Sequence, residues 1–187
     1  MPGTRNRVIA SAAELFRAQG VHGTGVLEIL DHASAPRGSL YHHFRGGKSE
    51  LVLAALEFEA RRIADQLAAL LEVTPDPKAA VVAFADALAD TLELSDFRLG
   101  CPVTTAALEL SSSEGAVRDL CARIYGDWQQ MITDHLAAHG HHGAERRAEA
   151  VLSAIEGALV LARVRRDGDP VRRVARQMAT LLDGASP

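Results

Sequence analysis

Apolar residues return every three or four positions in one segment after another of this chain, the spacing that lines one face of an α-helix. Val8, Ile9, Ala12, Ala13, Leu15 and Phe16 do so between Thr4 and Gln19. Val117, Leu120, Cys121, Ile124, Trp128, Met131, Ile132 and Leu136 do so over a longer reach, from about Glu114 to His139. The side chains on offer agree: 48% of residues are apolar but only 4% aromatic, and alanine is abundant, which suits close helix contacts better than a sheet rich in β-branched residues. The expected fold class is all-α. At 187 residues the chain can form one domain or two small ones and bury a core without disulfide or metal.

Breaks divide the pattern into about nine helices, with no internal repeat. Thr4 is placed to cap the first helix and Gly20 to stop it; Thr24, between Gly23 and Gly25, is placed to cap a brief second helix that turns Val26, Ile29, Leu30 and Ala33 inward. Ser34-Ala35-Pro36 ends that helix, because a residue before proline avoids the α region, and Pro36 opens a short third helix to about His43. Gly46 and Gly47 precede a long helix from roughly Lys48 to Leu71. Further helices run from the Thr74-Pro75-Asp76-Pro77 signal to about Leu94, from Pro102 to the serines at 111–113, from Glu114 to His139, from Ala144 to Arg166 and from Pro170 to Leu182. Two short helices joined by a three-residue turn form a helix-turn-helix, so residues 1–48 are expected to be a DNA-binding domain and 49–187 a second, helical domain.

Net charge is −4, which by itself argues against nucleic acid, since affinity for DNA rests largely on cations meeting phosphates. The distribution argues the other way. Arg5, Arg7, Arg17, Arg37, Arg45 and Lys48 outnumber Glu14, Glu28 and Asp31 in residues 1–48, a net +3 that leaves −7 to the rest. No apolar stretch approaches the roughly 20 residues that span a bilayer. Met-Pro-Gly-Thr-Arg is followed by no apolar signal region, so a cytoplasmic protein without membrane attachment is expected. Cys101 and Cys121 fit no metal spacing and are expected to stay reduced there, as small buried hydrophobes.

In a helix-turn-helix the second helix enters the major groove and needs base-edge donors and acceptors flanked by phosphate contacts. The third helix has both. Arg37 suits a bidentate pair with guanine, Ser39 a base edge or phosphate, and Tyr41, His42 and His43 the backbone oxygens, while Gly38 lets the helix approach closely. Lys48, at the start of the long helix, would join that helix's free N–H groups in holding a phosphate. The plain alternative is that these are exposed polar residues of a small bundle.

The segment Thr4 to Leu51 resembles the DNA-binding domain of the TetR/AcrR family of bacterial regulators. The resemblance lies in Ala12-Ala13-Glu14-Leu15-Phe16 of the first helix, Gly20 with Gly23-Thr24 in the first turn, and Gly38-Ser39-Leu40-Tyr41-His42-His43-Phe44 followed by Lys48. It implies that Arg37, Ser39, Tyr41, His43 and Lys48 sit at DNA-contacting positions, and Thr24, at the mouth of the second helix, is counted with them. Two spellings depart from the family: Ser34 stands where glycine is usual, and Arg45-Gly46-Gly47-Lys48 has one residue more than most relatives before the lysine. With Ala35-Pro36-Arg37-Gly38 and Gly100-Cys101-Pro102-Val103, the chain looks like the LmrA-like branch.

A cavity for an apolar organic effector needs a few polar groups on apolar helices. Cys101, Thr104, Thr105, Leu108 and Glu109 qualify on the helix opening at Pro102, and Tyr125, Trp128, Met131 and His135 on the long helix after it, with ordinary core packing as the competing role. Val151, Leu152, Ile155, Ala158, Leu159 and Ala162, with Val174, Met178 and Leu181, are expected to form a two-fold four-helix interface that presents two reading heads to a palindromic double-stranded operator. The function expected is a ligand-responsive repressor needing no cofactor. One rival is a metal or redox sensor built on His135, His139, His141 and His142, and another is an activator, since operator position decides the sign. A catalytic role finds no nucleophile elbow, phosphate loop, zinc helix or dinucleotide fingerprint to rest on.

Overall fold

The computed structural model describes residues 3–183. Nine helices account for the order in these residues: α1 (Thr4–Gln19), α2 (Val26–His32), α3 (Ser39–His43), α4 (Gly47–Val73), α5 (Pro77–Leu94), α6 (Pro102–Leu110), α7 (Gly115–Ala138), α8 (Ala144–Arg165) and α9 (Asp169–Asp183). The starts follow local chemistry. Pro77 and Pro102 each occupy the first turn of a helix, where the missing N–H costs nothing, and the Asp76 carboxylate accepts from Lys78 N at 3.2 Å.

Two expectations about the first helices change. Gly3 and not Thr4 is the N-cap of α1, and Gly25 and not Thr24 is the N-cap of α2. Thr24 is buried and its hydroxyl donates back to Gly20 O at 2.6 Å, while the Glu28 carboxylate accepts from the Gly25 N–H at 3.3 Å. The third helix is also shorter than the pattern suggests, because Pro36–Gly38 form a turn closed by Ser39 N donating to Pro36 O at 2.8 Å. Ser34 adopts the left-handed conformation, φ 47°, which explains why glycine suits that place.

The chain divides into two compact units. One contains the residues up to Arg62 together with Cys101–Ile124; the other contains Ile63–Gly100 and Tyr125 onward. In the first, α1 packs on α2, α3 and α6 around Val8, Phe16, Ile29, Leu30, Leu40, Phe44, Leu51 and Leu56, and α6 adds Val103, Ala106 and Leu110 to the buried residues. In the second, α9 packs on α5 and α8 through Ala80, Ala85, Ala89, Leu92, Ala162, Val171 and Ala175. Arg172 of α9 pairs with Asp90 and Glu93 of α5, both at 2.6 Å, and the hydrogen bond from Arg172 holds the Glu93 carboxyl below its usual range. No helix among the described residues is long and apolar enough to cross a membrane.

Candidate nucleic-acid interface

Five residues make α3, and burial divides them sharply. Ser39 and Leu40 are buried with Phe44 just beyond, which anchors the helix on α1 and α2 and leaves Arg37, Gly38, Tyr41 and His42 exposed, Tyr41 at 73%. Arg5, also exposed, lies over the Phe44 ring at 5.2 Å. The turn before α3 and the outward side of α3 therefore present a guanidinium, a phenol and an imidazole, a set able to donate to base edges and phosphate oxygens. His43 is half-buried and packs edge-on against His42 at 4.7 Å. Ser39 is set back from this surface and Thr24 is inside, so neither hydroxyl stands on it.

The cations of this region have two destinations. Arg5, Arg37 and Arg45 are exposed. Arg7 instead reaches the turn before α3, donating to Ala33 O at 3.2 Å, and Lys48 Nζ donates to Val21 O at 2.7 Å in the α1–α2 turn. Lys48 thus points at a carbonyl in place of the open helix end expected for it, and the Glu50 carboxylate takes the Gly46 N–H there at 2.8 Å. Arg17 turns inward to Glu59 of α4, 3.4 Å away, which also accepts from Arg62 at 2.9 Å. Burial pushes the Arg17 guanidinium below its ordinary value, with Glu59 opposing the shift. Half of the six cations counted from the sequence therefore hold the unit together.

Glu109, expected to line an effector cavity, does something else. Its Oε2 accepts from the backbone N–H groups of Val21 at 2.8 Å and His22 at 2.9 Å, so α6 is tied to the α1–α2 turn. Nothing in the sequence signals a contact between residues 88 positions apart. Of the other residues proposed for a cavity, Cys101, Thr104 and Thr105 are half-buried at the start of α6, where Thr105 donates to Cys101 O, and Leu108 is 79% exposed. Tyr125, Trp128, Met131 and His135 lie on α7 in the second unit. There Trp128 is buried and meets Tyr125 edge-on at 5.8 Å, and Nε2 of His135 is a buried polar atom with no hydrogen-bond partner among the described residues. Burial, then His139 and His141, hold the His135 imidazole below the ordinary histidine value.

On α8, Val151, Ile155, Ala158, Leu159 and Ala162 are buried within the chain, so its own core already covers them. Leu152, Val174 and Met178 are half-buried and Leu181 is 62% exposed. Val160, Leu161 and Val164 of α8 are open to solvent and were not singled out by the apolar spacing. Among the described residues no group of three or more His, Cys, Asp or Glu side chains is placed to hold a metal ion.

A short exposed helix with basic neighbours, seated on two others, defines a helix-turn-helix DNA-binding protein. Residues 8–55 match the family described as bacterial regulatory proteins of the tetR family, and residues 77–177 match the C-terminal domain of LmrA/YxaF-like transcriptional regulators. An uncharacterized HTH-type transcriptional regulator of Mycobacterium tuberculosis is 33% identical over 97% of this chain and 95% of its own. The HTH-type transcriptional regulator LmrA of Bacillus subtilis is 29% identical over 96% of both. A crystal structure of a regulatory protein TetR from Rhodobacter sphaeroides superposes with a TM-score of 0.86 at 25% identity, covering 95% of this chain and 97% of that one. The chain belongs to the TetR family of transcriptional regulators, in its LmrA/YxaF-like branch.

Proposed function

We propose that this regulator is a cytoplasmic homodimeric repressor that occupies a palindromic operator and is released by an apolar organic effector. The observation that carries the reading is the exposure of Arg37 and Gly38 in the turn before α3 and of Tyr41 and His42 on α3 itself. Arg37 is the base reader and Arg5 and Arg45 serve the phosphates, with Lys48 acting through the turn it holds. The exposed Val160, Leu161, Val164 and Leu181 on α8 and α9 support pairing with a second copy, which would add to the half-buried Leu152, Val174 and Met178. The effector's polar atom is assigned to His135, whose buried Nε2 has an unmet hydrogen bond, beside the apolar wall of Trp128 and Met131. Because α4 is one continuous helix from Gly47 to Val73, it is the natural lever between effector binding and the reading head.

Selection of bound duplexes from a randomised pool tests this reading. It should enrich an inverted repeat with half-sites about 34 Å apart or a multiple of that, the spacing set by two-fold symmetry on B-form DNA. Enrichment of a lone site without symmetry would contradict the dimer, and no enrichment would contradict operator binding.

A further inference from the structure

The peptide unit at Val21 is held from two sides. Its N–H and that of His22 donate to the Glu109 carboxylate of α6, and its C=O accepts from Lys48 of α4. The turn is shaped to receive the carboxylate: Gly20 sits at φ 79°, and a Cβ built there would run into Glu109 Oε1. His22 Nε2 adds a contact to the Glu109 backbone O at 3.4 Å. From this turn the chain enters α2 directly, and α3 packs on α1 and α2. A carboxylate receiving two backbone amides is a charge-assisted, directional bond, stronger than a neutral one and sensitive to reach.

We propose that Glu109 is a positioning residue for DNA recognition: it fixes the α1–α2 turn, and through it the aim of α3, to the place of α6. The inference rests on operator reading by α3 and is independent of effector, palindrome and dimer. Glu109 touches no base, so its loss acts on recognition of sequence and leaves the general attraction to phosphates intact.

Four full-length proteins are compared by fluorescence anisotropy on the duplex that the parent enriches from a randomised pool and on random-sequence duplex: the parent, Glu109→Ala, Glu109→Asp and Glu109→Gln. Losing two charge-assisted hydrogen bonds should weaken Glu109→Ala on the enriched duplex about tenfold or more. Its binding to random duplex should hold or tighten, because a negative charge is gone. Glu109→Gln keeps the reach and an accepting oxygen and should stay within about threefold of the parent; Glu109→Asp keeps the charge, falls one methylene short and should resemble Glu109→Ala. The order glutamine above aspartate separates positioning by a bond from an effect of charge, and it remains readable if the alanine variant does not fold. Enriched-duplex affinity unchanged in Glu109→Ala, or aspartate above glutamine, overturns the proposal. A parent that enriches no duplex overturns operator reading and this inference with it.

Discussion

In the unit that carries α3 a carboxylate, Glu59, is buried, whereas among the described residues of the unit of α5, α8 and α9 no ionised side chain is. Glu59 lies buried between Arg17 and Arg62, Glu109 and Lys48 grip one turn, and Arg7 grips the next. The second unit is closed by small apolar residues, Ala80, Ala85 and Ala89 of α5, which packs on α9, with the half-buried Arg172 pairing to exposed acidic side chains of α5. Hydrogen-bonded charge is a demanding way to fill space, since each group must find its partner, and it therefore favours one arrangement over near neighbours. Alanine packing asks only that volumes match. The unit that holds α3 uses the first device, and the unit of α5, α8 and α9 uses the second.

The contrast can be broken by removing a charge from the first unit. Glu59→Ala leaves the Arg17 guanidinium buried without its carboxylate and should cost about 3 kcal/mol in chemical denaturation. A cost no larger than that of an exposed substitution would mean that the buried charges do not hold the unit. In the second unit, Ala85→Leu should cost about 2 kcal/mol, because Ala85 is fully buried and a larger side chain would have to displace its neighbours. Tolerance of leucine there would show loose packing where close packing is inferred.

Smaller effects are expected at one residue of each unit. Ser34→Gly relieves the positive φ before α3 and should raise stability by about 1 kcal/mol, readable as a higher Tm; a fall would mean that the serine side chain holds the turn. The smallest effect belongs to His135. Since its imidazole is held below the ordinary value of 6.5, the unfolded chain takes up the proton first as pH falls. The stability due to the neutral ring is complete above the unfolded value of about 6.5 and is lost as pH falls below it through the lower value of the folded state. His135→Gln should reduce the difference in Tm between about pH 7.5 and 5.5, and an unaltered difference would assign that loss to other groups.

Helices whose ends carry their own stop signals were legible in the sequence. Gly20 closes α1, Pro77 and Pro102 open α5 and α6, and Gly143 precedes α8, all where the apolar spacing places them. α3 was overextended because Pro36 can begin a turn as well as a helix. Of the residues singled out around α3, Arg37, Tyr41 and His42 are exposed, whereas Ser39 is buried and His43 half-buried, which the spacing of so short a helix does not separate. Glu109 was noticed as a polar residue on an apolar helix, yet its partner lies 88 residues away, and periodicity says nothing of such distances. The same limit applies to α8: the spacing marks Val151, Ile155 and Leu159 as covered, but not whether the cover is the chain's own core or a second copy. Three cations that raised the local charge, Arg7, Arg17 and Lys48, are engaged by carbonyls or a carboxylate of their own unit, which no count of charges distinguishes.

If the exposed residues at the turn before α3 and on α3 read bases, Arg37 is the side chain on which base preference depends. Anisotropy titrations of Arg37→Ala and the parent, on the enriched duplex and on single-base variants of it, should show a loss of about 1–3 kcal/mol and relaxed preference at one base pair per half-site. Equal affinity and unchanged preference at every position would place the reading surface elsewhere on the protein.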